Sequence, residues 1–407
     1  MASFTSLFQI FLSLIFTLLY RNQVQASAPA PAPAQLFNVL NFGASGDGKT
    51  DNSKAFGDAW NQACSSGQNS VILIPTGTYL LRPIVFLGDK CKGAAIAFDI
   101  KGTLRAPTDN ASTIGVDHWI SFRHVNRLII TGGGTFDGQG ASAWPYNTCD
   151  KDPHCPALPI TLRFDFVNKS TINRITSINS KNAHFNIFAS HDITIQNVTL
   201  SAPGNSPNTD GIKISKSTGI QISDSNIGTG DDCVAMLPGV ENINISNVNC
   251  GPGHGFSIGS LGRKPNEKNV THITVRNSNL TGTLCGLRIK TWPMPYSSIV
   301  SDLTFENINV NNVTNPILID QNYCPSHKCK QGESRVQIEE ARFRNIRGSS
   351  FSKIAVNLQC SKSTPCEKIE LRDININYRG GKATSSCSNC KGVVFGLQNP
   401  PPCISKD

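Results

Sequence analysis

Between residues 193 and 373 one pattern of apolar and polar positions keeps returning. It runs apolar-x-apolar-x-Asn/Asp, first as Ile193-x-Ile195-x-Asn197, Ile220-x-Ile222-x-Asp224 and Ile243-x-Ile245-x-Asn247. It continues as Ile273-x-Val275-x-Asn277, Leu303-x-Phe305-x-Asn307, Ala341-x-Phe343-x-Asn345 and Ile369-x-Leu371-x-Asp373, with steps of 27, 23, 30, 30, 38 and 28 residues. Alternation marks a strand with one buried face. A step of this length is short for a propeller blade, and the leucine-rich consensus is missing. An antiparallel sandwich would give turn signals every 8–12 residues or so, without this long period. The repeat predicts an all-β, single-stranded right-handed parallel β-helix. Apolar residues stack inside it, and Asn or Asp takes the turns that need left-handed backbone.

The N-terminal part differs. Phe37–Gly43 predicts a short strand entering a Gly-rich turn. Gly46-Asp47-Gly48-Lys49-Thr50 lacks the G-x-x-x-x-G-K spacing of a phosphate loop and is a turn. Asp51 caps a predicted helix over residues 51–64, with Ala55, Phe56, Ala59, Trp60 and Ala63 on one face and Gly67 as the stop. That short helix would cover the open end of the solenoid, where unpaired strand edges invite aggregation.

Residues 1–26 have the form of a secretory signal: an apolar run from Leu7 to Leu19, then small residues at Val24-Gln25-Ala26. Residues 27–35 form an Ala/Pro leader with no fold of its own, and 36–407 are the single predicted solenoid domain. No second membrane segment follows, so no membrane association is expected after cleavage. Secretion agrees with the 14 cysteines among 407 residues and with seven glycosylation acceptor motifs, at Asn110, Asn168, Asn197, Asn244, Asn269, Asn279 and Asn312. Pairing of the cysteines is not fixed by sequence. Short local staples are expected from Cys149/Cys155, Cys233/Cys250, Cys324/Cys329, Cys360/Cys366 and Cys387/Cys390/Cys403, with Cys64/Cys91 as a further pair. Cys285 and Cys390 are left over, either bonded together or with Cys285 as a buried thiol. Cys387-x-x-Cys390 has no second pair at zinc spacing, so no metal is expected there.

Only 16% of residues are charged, against about 25% in an average soluble protein. Net charge is +9, which favours an acidic partner. No dense Lys/Arg run accompanies it, which argues against nucleic acid.

Four polar clusters stand within 83 residues: Asn208-Thr209-Asp210, Gly230-Asp231-Asp232, Gly253-His254-Gly255 and Arg288-Ile289-Lys290. Each alone is ordinary, since an Asp-Asp pair is usually a solvated turn. Their offsets from the local repeat are 17, 11, 11 and 15 residues, close enough to put them on one side of four consecutive coils. Carboxylates gathered there cannot all ionise freely, and one raised pKa beside an ionised neighbour gives a general acid next to a general base. Glycosidic bond cleavage needs that pair. Arg288 and Lys290, alternating with an inward Ile289, add a grip for a carboxylate of the substrate. The chemistry points to a sugar polymer that carries carboxylates.

The same four clusters resemble the polygalacturonases of glycoside hydrolase family 28, over residues 37–403. Within that family the chain is similar to pollen-type exopolygalacturonases of plants, through Leu158-Pro159-Ile160, Arg163-Phe164-Asp165-Phe166, Ser206-Pro207-Asn208-Thr209-Asp210-Gly211, Ser260-Leu261-Gly262-Arg263 and Asn315–Gln321. The resemblance implies a pectin-lyase-like solenoid secreted to the cell wall, cleaving α-1,4 bonds of homogalacturonan with inversion, in exo mode. By motif, Asp231 is the general acid, Asp210 and Asp232 activate water, and His254 tunes the protonation of Asp231. Arg288, Lys290, Tyr323 and Asn208 bind substrate, and Cys233/Cys250 matches a family disulfide. Oligogalacturonate is the one partner implied, with no cofactor or metal; a monomer is expected. Carboxylates about 5 Å apart on neighbouring coils would ordinarily mean retention, but that rule describes groups facing across the bond rather than stacked on a ladder. Four alternatives stay open: endo action, a rhamnogalacturonan hydrolase, a calcium-dependent pectate lyase and a non-catalytic wall-binding solenoid.

Overall fold

The computed structural model describes residues 34–406 apart from 94, 110–113, 150–154, 326–328 and 330–331. The expected signal 1–26, most of the leader and the Asn110 motif lie outside the described residues. The first strand, Gln35–Asn38, begins one residue before the expected domain boundary at 36, because Gln35 pairs in parallel with Ser70.

The chain winds as a parallel β-helix. Among the described residues its strands fall into one sheet of 22 and one of 11. Ile193 pairs with Ile220, then in turn with Ile243, Ile273, Leu303 and Ala341, one residue per coil. None of the six is more than 1% exposed. Each coil thus seals its apolar stripe against the next, and the strand edges of every inner coil are satisfied by its neighbours.

The Asn and Asp of the repeat are the bends. Asn197, Asp224, Asn247, Asn277, Asn307, Asn345 and Asp373 all have φ between +50° and +55°, a conformation that Asn and Asp tolerate better than other residues with a side chain. Outside the bends the surface is a polar ladder. Asn249, Asn279 and Asn309 each donate Nδ2 to the Oδ1 of the Asn one coil earlier at 2.9 Å, beginning with Asn226. A surface with few charges is built this way.

Helix α1, Ser53–Ser65, lies at the N-terminal end with Phe56, Ala59, Trp60 and Ala63 buried. Trp60 stands 5.2 Å from the Phe86 ring and 5.9 Å from Phe98. The helix starts later than 51, and Asn52 rather than Asp51 is its N-cap residue. Asn52 makes no capping bond because its amide joins Ser45 to Thr50. Asp51 serves the first turn from one place further out, accepting from the Ser53 N–H at 3.0 Å. Disulfides join Cys64–Cys91, Cys149–Cys155, Cys233–Cys250, Cys324–Cys329, Cys360–Cys366 and Cys387–Cys403. Cys285 is a buried thiol.

The bends give a direct test. Asn277→Val should destabilise the fold by about 1–2 kcal/mol more than Asn277→Gly, since only the β-branched residue is penalised in left-handed backbone. Urea midpoints measure the difference, and equal midpoints would contradict this role of the bend.

Candidate active site

The smaller sheet forms the floor of the site. Ile212, Val234, Phe256 and Leu287 are paired in register on successive strands and face the core. One residue further along, Lys213, Ala235, Ser257 and Arg288 form the outward row. Counting two residues back from the core row reaches Asp210, Asp232, His254 and Cys285. Three of the four expected clusters therefore share one coil position, and of the fourth Arg288 stands on the neighbouring outward row with Lys290 two residues further along.

Local sequence explains how these side chains are held. His254 sits where its backbone N–H donates to the Asp231 carbonyl at 2.8 Å. A Cβ at Gly253 would lie 2.7 Å from that same carbonyl, and one at Gly255 would lie 2.2 Å from the Cys285 carbonyl. Both positions also have positive φ, so the imidazole can approach Asp231 only between two glycines. Thr209, fully buried, accepts from the Gly230 N–H at 2.9 Å and ties the first cluster to the second. The Cys233–Cys250 disulfide starts at the residue after Asp232.

Each carboxylate has its own company. Asp232 is 2% exposed. Its Oδ1 accepts from the Ser257 hydroxyl at 2.7 Å and from the Arg288 guanidinium, and its Oδ2 accepts from Lys290 Nζ at 2.9 Å. Burial works against its charge, but Arg288 and then Lys290 outweigh it and hold the carboxyl below the usual range. Asp231 is the accessible one, with a side chain 21% exposed beside a His254 side chain 31% exposed. Its Oδ1 lies 2.9 Å from His254 Nδ1 and accepts from the Asp232 N–H at 2.8 Å, while Asn208 Nδ2 reaches Oδ2 at 3.4 Å. Here too burial opposes the charge, and His254, Lys213 and Lys290 overcome it, so Asp231 is also lowered.

Asp210 is the exception. Burial, and then the negative charge of Asp231, push its carboxyl up to about 7 despite Lys213. One of the three carboxyls thus holds a proton near neutrality, as expected of a crowded site. Of the three, Asp210 has the highest proton affinity, because His254 and the cations favour the ionised form of Asp231. The three titrate as a coupled set.

The remaining expected residues fall around this centre. Asn208, in left-handed backbone, accepts from Asn147 Nδ2 at 3.0 Å. Tyr323 flanks the cations, with Lys290 Nζ 5.3 Å from its ring and Trp292 packed edge-on at 5.4 Å. The Cys360–Cys366 loop braces Gln321, whose Oε1 accepts from the Ser361 N–H. Arg288 and Lys290 were expected to face substrate alone; they also neutralise Asp232. Three contributors escaped the motif reading: Lys213, Ser257 and Asn147. Lys213 and Ser257 had a signal, as polar residues alternating with core positions in Ile212-x-Ile214 and Phe256-x-Ile258. Asn147 had none.

Ligand atoms of Asp231, Asp232 and His254 lie within 4.8 Å of one another. Calcium prefers an all-oxygen shell. In this cluster a ring nitrogen is one donor, both Asp232 oxygens already accept from cations, and Lys213, Arg288 and Lys290 crowd the position. The donor set fits proton transfer and does not fit calcium.

The raised Asp210 carboxyl has a consequence for stability. A carboxyl that rises from 3.8 unfolded to about 7 folded binds more protons in the native state. Its neutral form stabilises the fold at low pH, and that contribution is lost as pH climbs through the window. Asp210→Asn cannot ionise and escapes the loss. The Tm of Asp210→Asn should therefore gain on the wild type between pH 4 and pH 8, roughly; a difference independent of pH would contradict the assignment of this proton to Asp210.

Known proteins share both this sequence and this architecture. Residues 64–398 match the family described as glycosyl hydrolases family 28. An exopolygalacturonase of Platanus acerifolia is 46% identical over 368 residues, covering 90% of this chain and 97% of its own. An exopolygalacturonase of Zea mays is 40% identical, with 97% and 98% covered. Among solved structures, the endo-xylogalacturonan hydrolase of Aspergillus tubingensis superposes with a TM-score of 0.74 at 23% identity, over 89% of this chain and 100% of that one. The exopolygalacturonase of Thermotoga maritima gives 0.71 at 20% identity, over 91% and 94%. These structural likenesses carry the fold; the extent of the family match and the identity to the plant sequences carry the lineage. The chain is a member of glycosyl hydrolase family 28.

Proposed function

We propose that the protein hydrolyses α-1,4-galacturonosyl bonds of homogalacturonan by general acid/base catalysis with inversion, as a secreted, monomeric, exo-acting polygalacturonase of the cell wall. The single observation that carries the hydrolytic chemistry is the division of labour among three aspartates in one groove. Asp231 is accessible and touches His254, whereas Asp210 and Asp232 are nearly buried beneath it.

In this scheme a galacturonate carboxylate docks against Arg288 and Lys290, with Tyr323 and Asn208 lining the same site. Its negative charge offsets Lys290, one of the cations that lower Asp231 in the free enzyme, and the sugar displaces water around it. Both changes favour the protonated form of Asp231. The proton carried by Asp210 at rest then belongs on Asp231, which delivers it to the glycosidic oxygen. Asp210, now ionised, and Asp232 take the proton of the attacking water. His254 holds the Asp231 carboxyl toward the groove.

Exo action is favoured by one contact. Asn147, directly after the short turn Trp144–Tyr146, lies against Asn208, whose amide reaches Asp231. A side chain seated there would narrow the site beside the acid. The similarity to the exopolygalacturonases of Platanus acerifolia and Zea mays supports the same mode for this chain. Of the Cys324–Cys329 loop that follows Tyr323, residues 326–328 lie outside the described residues.

Digestion of a defined oligogalacturonate separates the possibilities. Galacturonic acid should be the only small product from the first turnovers; mixed oligomers would mean endo action. Activity should survive a calcium chelator with no unsaturated product absorbing in the ultraviolet, and the opposite result would make the enzyme a lyase. Asp231→Asn should lower kcat by about 10²–10⁴-fold, the range for removing a general acid, and full turnover by this variant would remove Asp231 from its role.

A further inference from the structure

We infer that Lys213 is a positioning residue of this site, the dedicated counter-charge that holds Asp210 against its two neighbouring carboxylates. The inference rests on the proposed hydrolytic function and concerns a residue outside all four sequence clusters.

The geometry is specific. Lys213 lies on the strand Ile212–Ser215 between two core residues, so its side chain must leave the sheet on the groove side. Nζ stands 2.9 Å from Asp210 Oδ1, with the Lys213 side chain 25% exposed and that of Asp210 4% exposed. Asp232 has Arg288, Lys290 and Ser257, and Asp231 has His254, Asn208 and a backbone N–H. Asp210 has no comparable set. Its Oδ1 is buried, and among the described residues Lys213 is the one side chain in polar contact with it. The lysine therefore does alone what several donors do for the other two carboxylates.

The charged groups acting on Asp210 are Asp231 and Asp232, which favour its neutral form, and Lys213, which favours the ionised form. Lys213 in turn feels all three aspartates. Removing the ammonium leaves Asp210 with burial and two like charges and without the main charge that opposes them. A base must be ionised to accept a proton from water. Without Lys213 the ionised fraction of Asp210 shrinks at every pH below its new, higher pKa, and activity recovers only when the pH is raised.

The test compares Lys213→Met with Lys213→Arg. In Lys213→Met the acidic limb of the kcat profile should move up by about one pH unit or more, with kcat lowered about tenfold or more below the shift and KM changed little. Lys213→Arg keeps the charge and should restore most of the wild-type limb. A uniform loss of kcat at all pH values would reduce Lys213 to a structural part, and a raised KM with unchanged kcat would make it a substrate contact; either result overturns the inference. If Lys213→Met does not fold, Lys213→Gln is measured the same way. The Asp210 carboxyl can also be titrated without substrate, by infrared difference against Asp210→Asn, and should titrate higher in Lys213→Met. That readout separates the two claims. A wild type inactive on galacturonan defeats the proposed function, whereas an unshifted Asp210 titration defeats the inference about Lys213.

Discussion

The in-register parallel pairing of successive coils is the constraint on which everything else depends. Neighbouring strands stand about 4.8 Å apart, and the pairing of Ile212, Val234, Phe256 and Leu287 fixes which residues share that spacing. A slip of one residue on any of these strands would turn its core residue outward and its polar residue inward. The apolar stack forbids that slip, and the site inherits its precision from the core. Left-handed Asn and Asp at the bends complete the arrangement, because they set where each coil turns.

What the ladder delivers is a separation of three chemically identical groups. Asp232 is held by two cations and a hydroxyl, Asp231 by an imidazole at the edge of solvent, and Asp210 by one lysine in a buried place. Different environments give identical side chains different proton affinities, which lets carboxyls act as acid and base at one pH. The same charges create a switch. Lys290, one of the cations that keep Asp231 ionised in the free enzyme, is also one that the proposed galacturonate carboxylate would neutralise, so in that scheme substrate binding itself would favour the proton on Asp231.

Much of this was legible in the sequence, for a physical reason. A solenoid repeats its constraints every coil, so Ile, Val, Leu and Asn return at positions that can be counted, and all seven of the repeat's Asn and Asp residues occupy the bends. The four clusters were legible because register adds them together. Three things were not. Lys213 and Ser257 look like ordinary outward strand residues, and their roles depend on which carboxylate lies across the row. Asn147 comes from a segment outside the repeat, whose path no periodicity describes. The raised proton affinity of Asp210 arises from burial and the balance of several charges, which residue order does not state. The late start of helix α1 has a local cause of the same kind, since the Asn52 amide is drawn into the Ser45–Thr50 turn.

The central claim is that these aspartates act directly on water and the glycosidic oxygen, with no bond formed between enzyme and sugar. Proton NMR of the first product, recorded before mutarotation, tests it most directly. Direct attack by water on an α-linked galacturonate gives the β-anomer of galacturonic acid as the initial product. An α-anomer at the earliest time points would mean two successive displacements through a covalent intermediate, and would contradict the roles of Asp210 and Asp232 as activators of water.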